Sequence, residues 1–157
     1  MHYLAGAILV LELGLCFVLE KVVSFRALDC LGWIVWALGM AVMLLAISTL
    51  RRRGRVPPGS SFVETQSVVT DGIFGIVRHP LYLGWSLMYL VPVLFNLRWE
   101  LAILALVGAA TVQVFTRQEE QALAARFGDA YRCYAASVPM MDLLGGMLRA
   151  LRRRRKV

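Results

Sequence analysis

Leu31-Gly32-Trp33-Ile34-Val35-Trp36-Ala37-Leu38-Gly39-Met40-Ala41-Val42-Met43-Leu44-Leu45-Ala46-Ile47-Ser48-Thr49-Leu50 is a run of twenty residues without a charge. As a helix it is about 30 Å long, the thickness of a bilayer's hydrocarbon core. Upstream, Tyr3 to Leu19 is nearly as apolar apart from Glu12, and Glu20 to Asp29 supplies a polar turn. The two runs predict an antiparallel transmembrane hairpin. Downstream, Arg51, Arg52, Arg53 and Arg55 follow at once, and the positive-inside rule places that end, and by counting the N-terminus, in the cytoplasm.

Further along, Leu81 to Leu97 and Leu101 to Phe115 are apolar runs of seventeen and fifteen residues separated by Arg98 and Glu100. They predict a second hairpin at the short end of spanning length. Pro92 is expected to kink the third span. Pro57-Pro58-Gly59-Ser60-Ser61 breaks helical structure, and residues 56 to 77 show no sustained period, which reads as a cytoplasmic loop with short elements. From Thr116 to Ala136 charged and apolar residues interleave, with Leu123, Phe127, Tyr131 and Tyr134 at steps of three and four. This predicts an amphipathic surface helix interrupted near Gly128. The expected fold is therefore all-α: a polytopic membrane protein with about four transmembrane helices in two hairpins and an amphipathic C-terminal helix at the cytoplasmic face. It reads as a single membrane domain, with an N-terminal hairpin over 1–55, a core over 56–139 and a basic tail over 140–157.

Composition agrees. Of 157 residues, 59% are hydrophobic and 17% charged, and the mean hydropathy is +0.67, too apolar for an ordinary soluble domain. Ten of the seventeen basic residues sit in two patches, Arg51 to Arg55 and Arg149 to Lys156. Beside long apolar spans such patches fit anionic lipid headgroups, and no nucleic-acid partner is expected. Cys16, Cys30 and Cys133 are distant and odd in number, so neither a disulfide framework nor a metal site is indicated. The N-terminus lacks a basic n-region and a cleavage site, so the first segment is expected to stay as a helix. A bacterial inner membrane, with both termini cytoplasmic, is the expected location.

Chemistry concentrates at two places. Arg78-His79-Pro80, with Tyr82 and Gly84, lies where a loop enters the third span; Pro80 suits a first helical turn, whose free N–H groups attract a carboxylate. Arg117, Glu119 and Glu120 follow the fourth span, on the same side by the predicted topology. One reading is an interface anchor facing headgroups. The other is a pocket for a zwitterionic cofactor, the acids meeting ammonium or hydroxyl groups. Glu12, within a span, is expensive there and reads either as functional or as a structurally paired or neutral buried acid. Trp33, Trp36, Trp85 and Trp99 read as interface or packing aromatics.

The ordered strings Val69-Thr70-Asp71-Gly72-Ile73-Phe74, Val77-Arg78-His79-Pro80-Leu81-Tyr82-Leu83-Gly84, and Glu119-Glu120 with Leu123, Phe127-Gly128, Tyr131, Tyr134 and Val138-Pro139 resemble the isoprenylcysteine carboxyl methyltransferase and phospholipid methyltransferase superfamily over roughly residues 59 to 139. The resemblance implies a helical membrane enzyme without a Rossmann domain. Its C-terminal half would enclose S-adenosylmethionine at the cytoplasmic face and methylate a lipid or small hydrophobic acceptor through a carboxylate, amine or thiol. It implies Val69, Phe74, His79, Pro80, Leu81, Tyr82 and Glu119 as cofactor-binding residues. From the chemistry of transfer, Glu120 or Glu119 would accept the proton of an amine or thiol acceptor, and Arg117 or Arg78 would hold a carboxylate acceptor. The sequence departs from the pattern at Phe74, where tyrosine is usual, and at Phe115 and Met140, where carboxyl-methylating members carry arginine; these departures point away from isoprenylcysteine itself. Two alternatives are an NADPH-dependent membrane reductase of the sterol-reductase type and a non-catalytic relative that kept the fold.

Overall fold

A computed structural model describes residues 2–22, 25–54 and 65–154. Among them are six α-helices, one short 3₁₀ turn and no strand: α1 His2–Val18, α2 Arg26–Arg53, α3 Pro80–Asn96, α4 Trp99–Phe127, α5 Asp129–Ser137 and α6 Leu143–Arg154. The turn is Gly72–Gly75. The Pro57 to Ser61 helix breaker lies outside the described residues.

Two helices are long and apolar enough to cross a membrane, α2 with 28 residues and α4 with 29. Only 22% and 28% of their apolar windows are buried within the chain. Most of that apolar surface therefore faces outward, as lipid-facing helices require and soluble core helices do not. The apolar α1 and α3 are shorter, at 17 residues each.

Two differences from the sequence expectation have physical causes. The fourth span and the amphipathic segment form one helix, α4, because no strong helix breaker separates Trp99 from Phe127. The break comes at Gly128, with φ +57°, a conformation that costs glycine least. The basic tail carries a helix, α6, started by Asp142: its side chain accepts from Gly145 N at 2.9 Å and its carbonyl from Gly146 N at 2.9 Å.

The chain divides into two compact units. The first, residues 1–41 and 82–117, is built around Ala5, Tyr89, Ala105 and Val112, with Ile8, Leu9, Tyr82, Trp85, Val93 and Phe115 packed against them. Tyr89 is fully buried, and its hydroxyl donates to the Ala5 carbonyl at 2.7 Å. Gly108 faces its ring, and a Cβ there would lie 2.5 Å from Tyr89 Cζ. The turns after α1 and α3 are tied together: Val22 N donates to Asn96 O at 3.3 Å and Arg98 Nη1 to Glu20 O at 3.2 Å. Pro92 is buried inside α3. Glu12 is also buried, and neither carboxylate oxygen has a hydrogen-bond partner among the described residues; of the readings open from sequence, a paired acid is not found there.

The second unit is residues 42–81 and 118–157. Its core holds Tyr131, Tyr134 and Val138, with Val68, Leu123, Ala124, Phe127 and Ala135 against them. On α2, Val42, Ala46 and Leu50 are buried at four-residue spacing, one stripe of the helix. All the polar groups considered next as an interacting cluster lie in this unit.

Candidate functional site

The site begins with a tight backbone path. Gly72 has φ +60° and lies against Thr49, and the turn it starts buries Ile73 and Phe74. Val77 is fully buried, which fixes the two residues after it. The backbone N–H groups of Arg78 and His79 donate to the carbonyls of Pro139 and Met140 at 2.9 and 3.1 Å. Pro80 then opens α3, where a missing N–H costs nothing. Arg78 and His79 are thus held by the chain segment leaving α5 and not by α3 alone.

Opposite them, the polar end of α4 supplies Glu120. Its Oε1 accepts from His79 Nε2 at 2.7 Å and from the Tyr131 hydroxyl at 2.6 Å, and its Oε2 lies 3.0 Å from Arg78 Nη2. Because both close partners of Oε1 must donate to a carboxylate, His79 carries a proton on Nε2. The Tyr131 oxygen is 3.5 Å from the same nitrogen. His79 and Arg78 side chains are 4% and 10% exposed and Glu120 20%, so the cluster is shielded from water, where charge-assisted hydrogen bonds are strongest.

Gly128 makes Tyr131 available by turning the chain from α4 into α5. Tyr131 and Tyr134, one turn apart, pack with ring centroids 5.9 Å apart at 68°, and the Tyr134 hydroxyl donates to the Phe74 carbonyl at 2.7 Å. Burial, and then the neighbouring Glu120, push the Tyr131 phenol far above its ordinary range; Tyr134 is raised chiefly by burial. Both therefore remain neutral donors. For Glu120, burial pushes the carboxyl up, but hydrogen bonds from His79 and Tyr131 and the charges of His79 and Arg78 outweigh it, leaving it below its ordinary value.

A pH dependence follows. A carboxyl lowered in the folded protein contributes stability that is complete above the ordinary glutamate range and is lost as pH falls from there through the lowered value. The thermal midpoint in detergent is expected to fall on acidification across that window, and Glu120→Gln should flatten that part of the profile. Equal acid sensitivity in the variant would assign the loss to other carboxyls.

Of the residues expected from sequence, the structure brings His79 and Glu120 into direct contact and ties Phe74 to the same unit through Tyr134. Pro80 is buried, and Val69 and Leu81 are half-buried. Glu119 is half-buried, and its side chain makes no hydrogen bond or ion pair among the described residues. Tyr82 belongs to the first unit and packs on the Tyr89 core. Arg117 also belongs to that unit and is exposed. Tyr131 was legible as part of the amphipathic stripe and the F-G-x-x-Y-x-x-Y string, yet not as a partner of Glu120. Arg78, weighed as a cation for a carboxylate, is integral to the cluster. Its Nε is buried and has no hydrogen-bond partner among the described residues, a donor set for an anionic oxygen.

A family profile described as phospholipid methyltransferase matches residues 25–130. The chain belongs to the phospholipid methyltransferase family. Comparison with curated proteins and with solved structures gives no match. Membership makes this a membrane methyltransferase by family, in keeping with the apolar α2 and α4. The matched stretch contains Arg78, His79, Glu119 and Glu120 and stops one residue short of Tyr131. No group of three or more metal-ligating side chains occurs among the described residues.

Proposed function

We propose that this phospholipid methyltransferase family member transfers a methyl group from S-adenosylmethionine to the headgroup of a membrane lipid at the cytoplasmic face, with α1 to α4 crossing the bilayer as two hairpins. The observation that carries the reading is the buried Arg78–His79–Glu120–Tyr131 cluster with its unpartnered Arg78 Nε. A buried guanidinium N–H without an acceptor suits a carboxylate such as that of the cofactor's amino-acid portion. The family description supports a phospholipid acceptor.

When bound, S-adenosylmethionine supplies a methyl group on an already activated sulfonium, so the protein's contribution is mainly positioning. Arg78 and His79 would face the cofactor's polar end, with Val69, Phe74, Pro80 and Leu81 of the same unit supplying the surrounding apolar and aromatic surface. Glu120, engaged by three donors and held below its ordinary pKa, is a poor base; its role is to hold Arg78, His79 and Tyr131 in place. Glu119, half-buried and without a protein partner among the described residues, is the better placed carboxylate to meet a cofactor hydroxyl or to take the proton released by an amine acceptor. Arg117 remains available for an acidic headgroup.

Calorimetry on the detergent-purified protein tests this. S-adenosylmethionine and its demethylated product are expected to bind in the micromolar range, and His79→Ala and Glu119→Ala to weaken both by roughly tenfold or more, each such factor being about 1.4 kcal/mol. A folded wild-type protein that binds neither would overturn the reading.

A further inference from the structure

Helix α6 (Leu143–Arg154) has three distinct sides. Gly146 is buried, with Leu143 and Ala150 half-buried beside it. A Cβ on Gly146 would collide with the Ile76 carbonyl, 2.9 Å from its carbon, so this side is seated directly on the backbone two residues before Arg78. A second side is an apolar ridge at helical spacing, Leu144, Met147, Leu148 and Leu151, exposed by 75%, 45%, 58% and 56%. The third carries the exposed Arg149 and Arg152 along the edge of that ridge. The sequence continues with Arg153, Arg154, Arg155 and Lys156.

An apolar ridge flanked by arginines is complementary to one kind of surface, a layer of acyl chains under anionic headgroups. The segment leading into α6 is the one whose Pro139 and Met140 carbonyls hold the N–H groups of Arg78 and His79. Helix α6 and its leader therefore grip residues 76 to 79 at three points. We propose that α6 is a docking helix for an anionic lipid surface, and that seating it there holds the Ile76–His79 segment in its binding geometry, so that lipid charge sets the affinity of the site. The coupling half of this inference rests on the methyltransferase reading; the docking half does not.

The test uses the full chain in nanodiscs of phosphatidylcholine alone and of phosphatidylcholine mixed with phosphatidylglycerol. Amide exchange over residues 143–152 is expected to slow several-fold in the anionic discs and to recover in high salt. The Arg149→Glu/Arg152→Glu double variant should lose that difference, while exchange in α4 reports that it is folded. S-adenosylhomocysteine should bind several-fold more tightly in anionic discs, and equally in both discs for the variant. Unchanged exchange between the two lipids overturns the proposal, as does protection that follows the number of copies per disc, which would mark contact between chains. Protection without a change in affinity overturns the coupling. A wild-type protein that binds no S-adenosylhomocysteine in either disc sinks the methyltransferase reading instead, and the exchange data then decide the docking alone.

Discussion

Glu120→Ala is expected to lower methyl transfer by about a hundred- to a thousandfold. The carboxylate is the shared acceptor of three donors, with His79 Nε2 and the Tyr131 hydroxyl on one oxygen and Arg78 Nη2 on the other. Removing it strands all three in a shielded place, and taking one partner from a buried charged pair costs about 3–5 kcal/mol. If about 3–4 kcal/mol of that appears as lost positioning, the rate falls by the stated factor, each tenfold being about 1.4 kcal/mol. Glu120→Gln keeps one acceptor oxygen and the side-chain shape but removes the charge, so it should fall between wild type and alanine in both rate and thermal midpoint. The measurement is transfer of labelled methyl into extracted lipid, at enzyme concentrations normalised to the monodisperse fraction. Full activity in Glu120→Ala would show that the cluster is a structural tie with no part in the reaction.

How much of this could be read from the sequence depended on whether local chemistry or tertiary geometry decided each point. Leu31 to Leu50 found its helix because length and lack of charge suffice, although α2 extends to Arg26 and Arg53, where polar residues can follow the helix into an aqueous boundary. Gly128 was legible as a break because a positive φ suits glycine. The angle at which the chain leaves that break was not, and it is this angle that brings Tyr131, eleven residues along, onto Glu120. His79 and Glu120 were placed on the same side by counting spans, but their 2.7 Å contact across 41 residues is set by packing that no periodicity encodes. Residues 140–157 read from sequence only as a basic tail; Gly145-Gly146 and an arginine run do not favour an isolated helix, and α6 forms where it packs. Gly146 is explained only once the Ile76 carbonyl is seen beside it.

Gly108→Val should be the most damaging single substitution in the first unit. Glycine in the middle of α4 costs about 1 kcal/mol in helix propensity relative to alanine, so its presence needs a packing reason. The reason is the Tyr89 ring, fully buried and anchored at its far end by the 2.7 Å bond to the Ala5 carbonyl. Even one added methyl would sit 2.5 Å from Cζ and 2.7 Å from Cδ1, inside any tolerated contact, and the anchored hydroxyl leaves the ring little room to retreat. Close approach of helix backbones through small residues is how apolar helices pack in lipid, where no hydrophobic drive compensates a poor fit. Gly108→Ala is expected to cost about 1–3 kcal/mol by overpacking, and Gly108→Val more, seen as a lowered thermal midpoint and loss of the monodisperse species in detergent. Pairing Gly108→Ala with Tyr89→Leu, which removes the ring but keeps an apolar filler, should recover part of the loss and give a non-additive double-mutant cycle. Additive losses would mean that Gly108 is needed for some contact other than Tyr89.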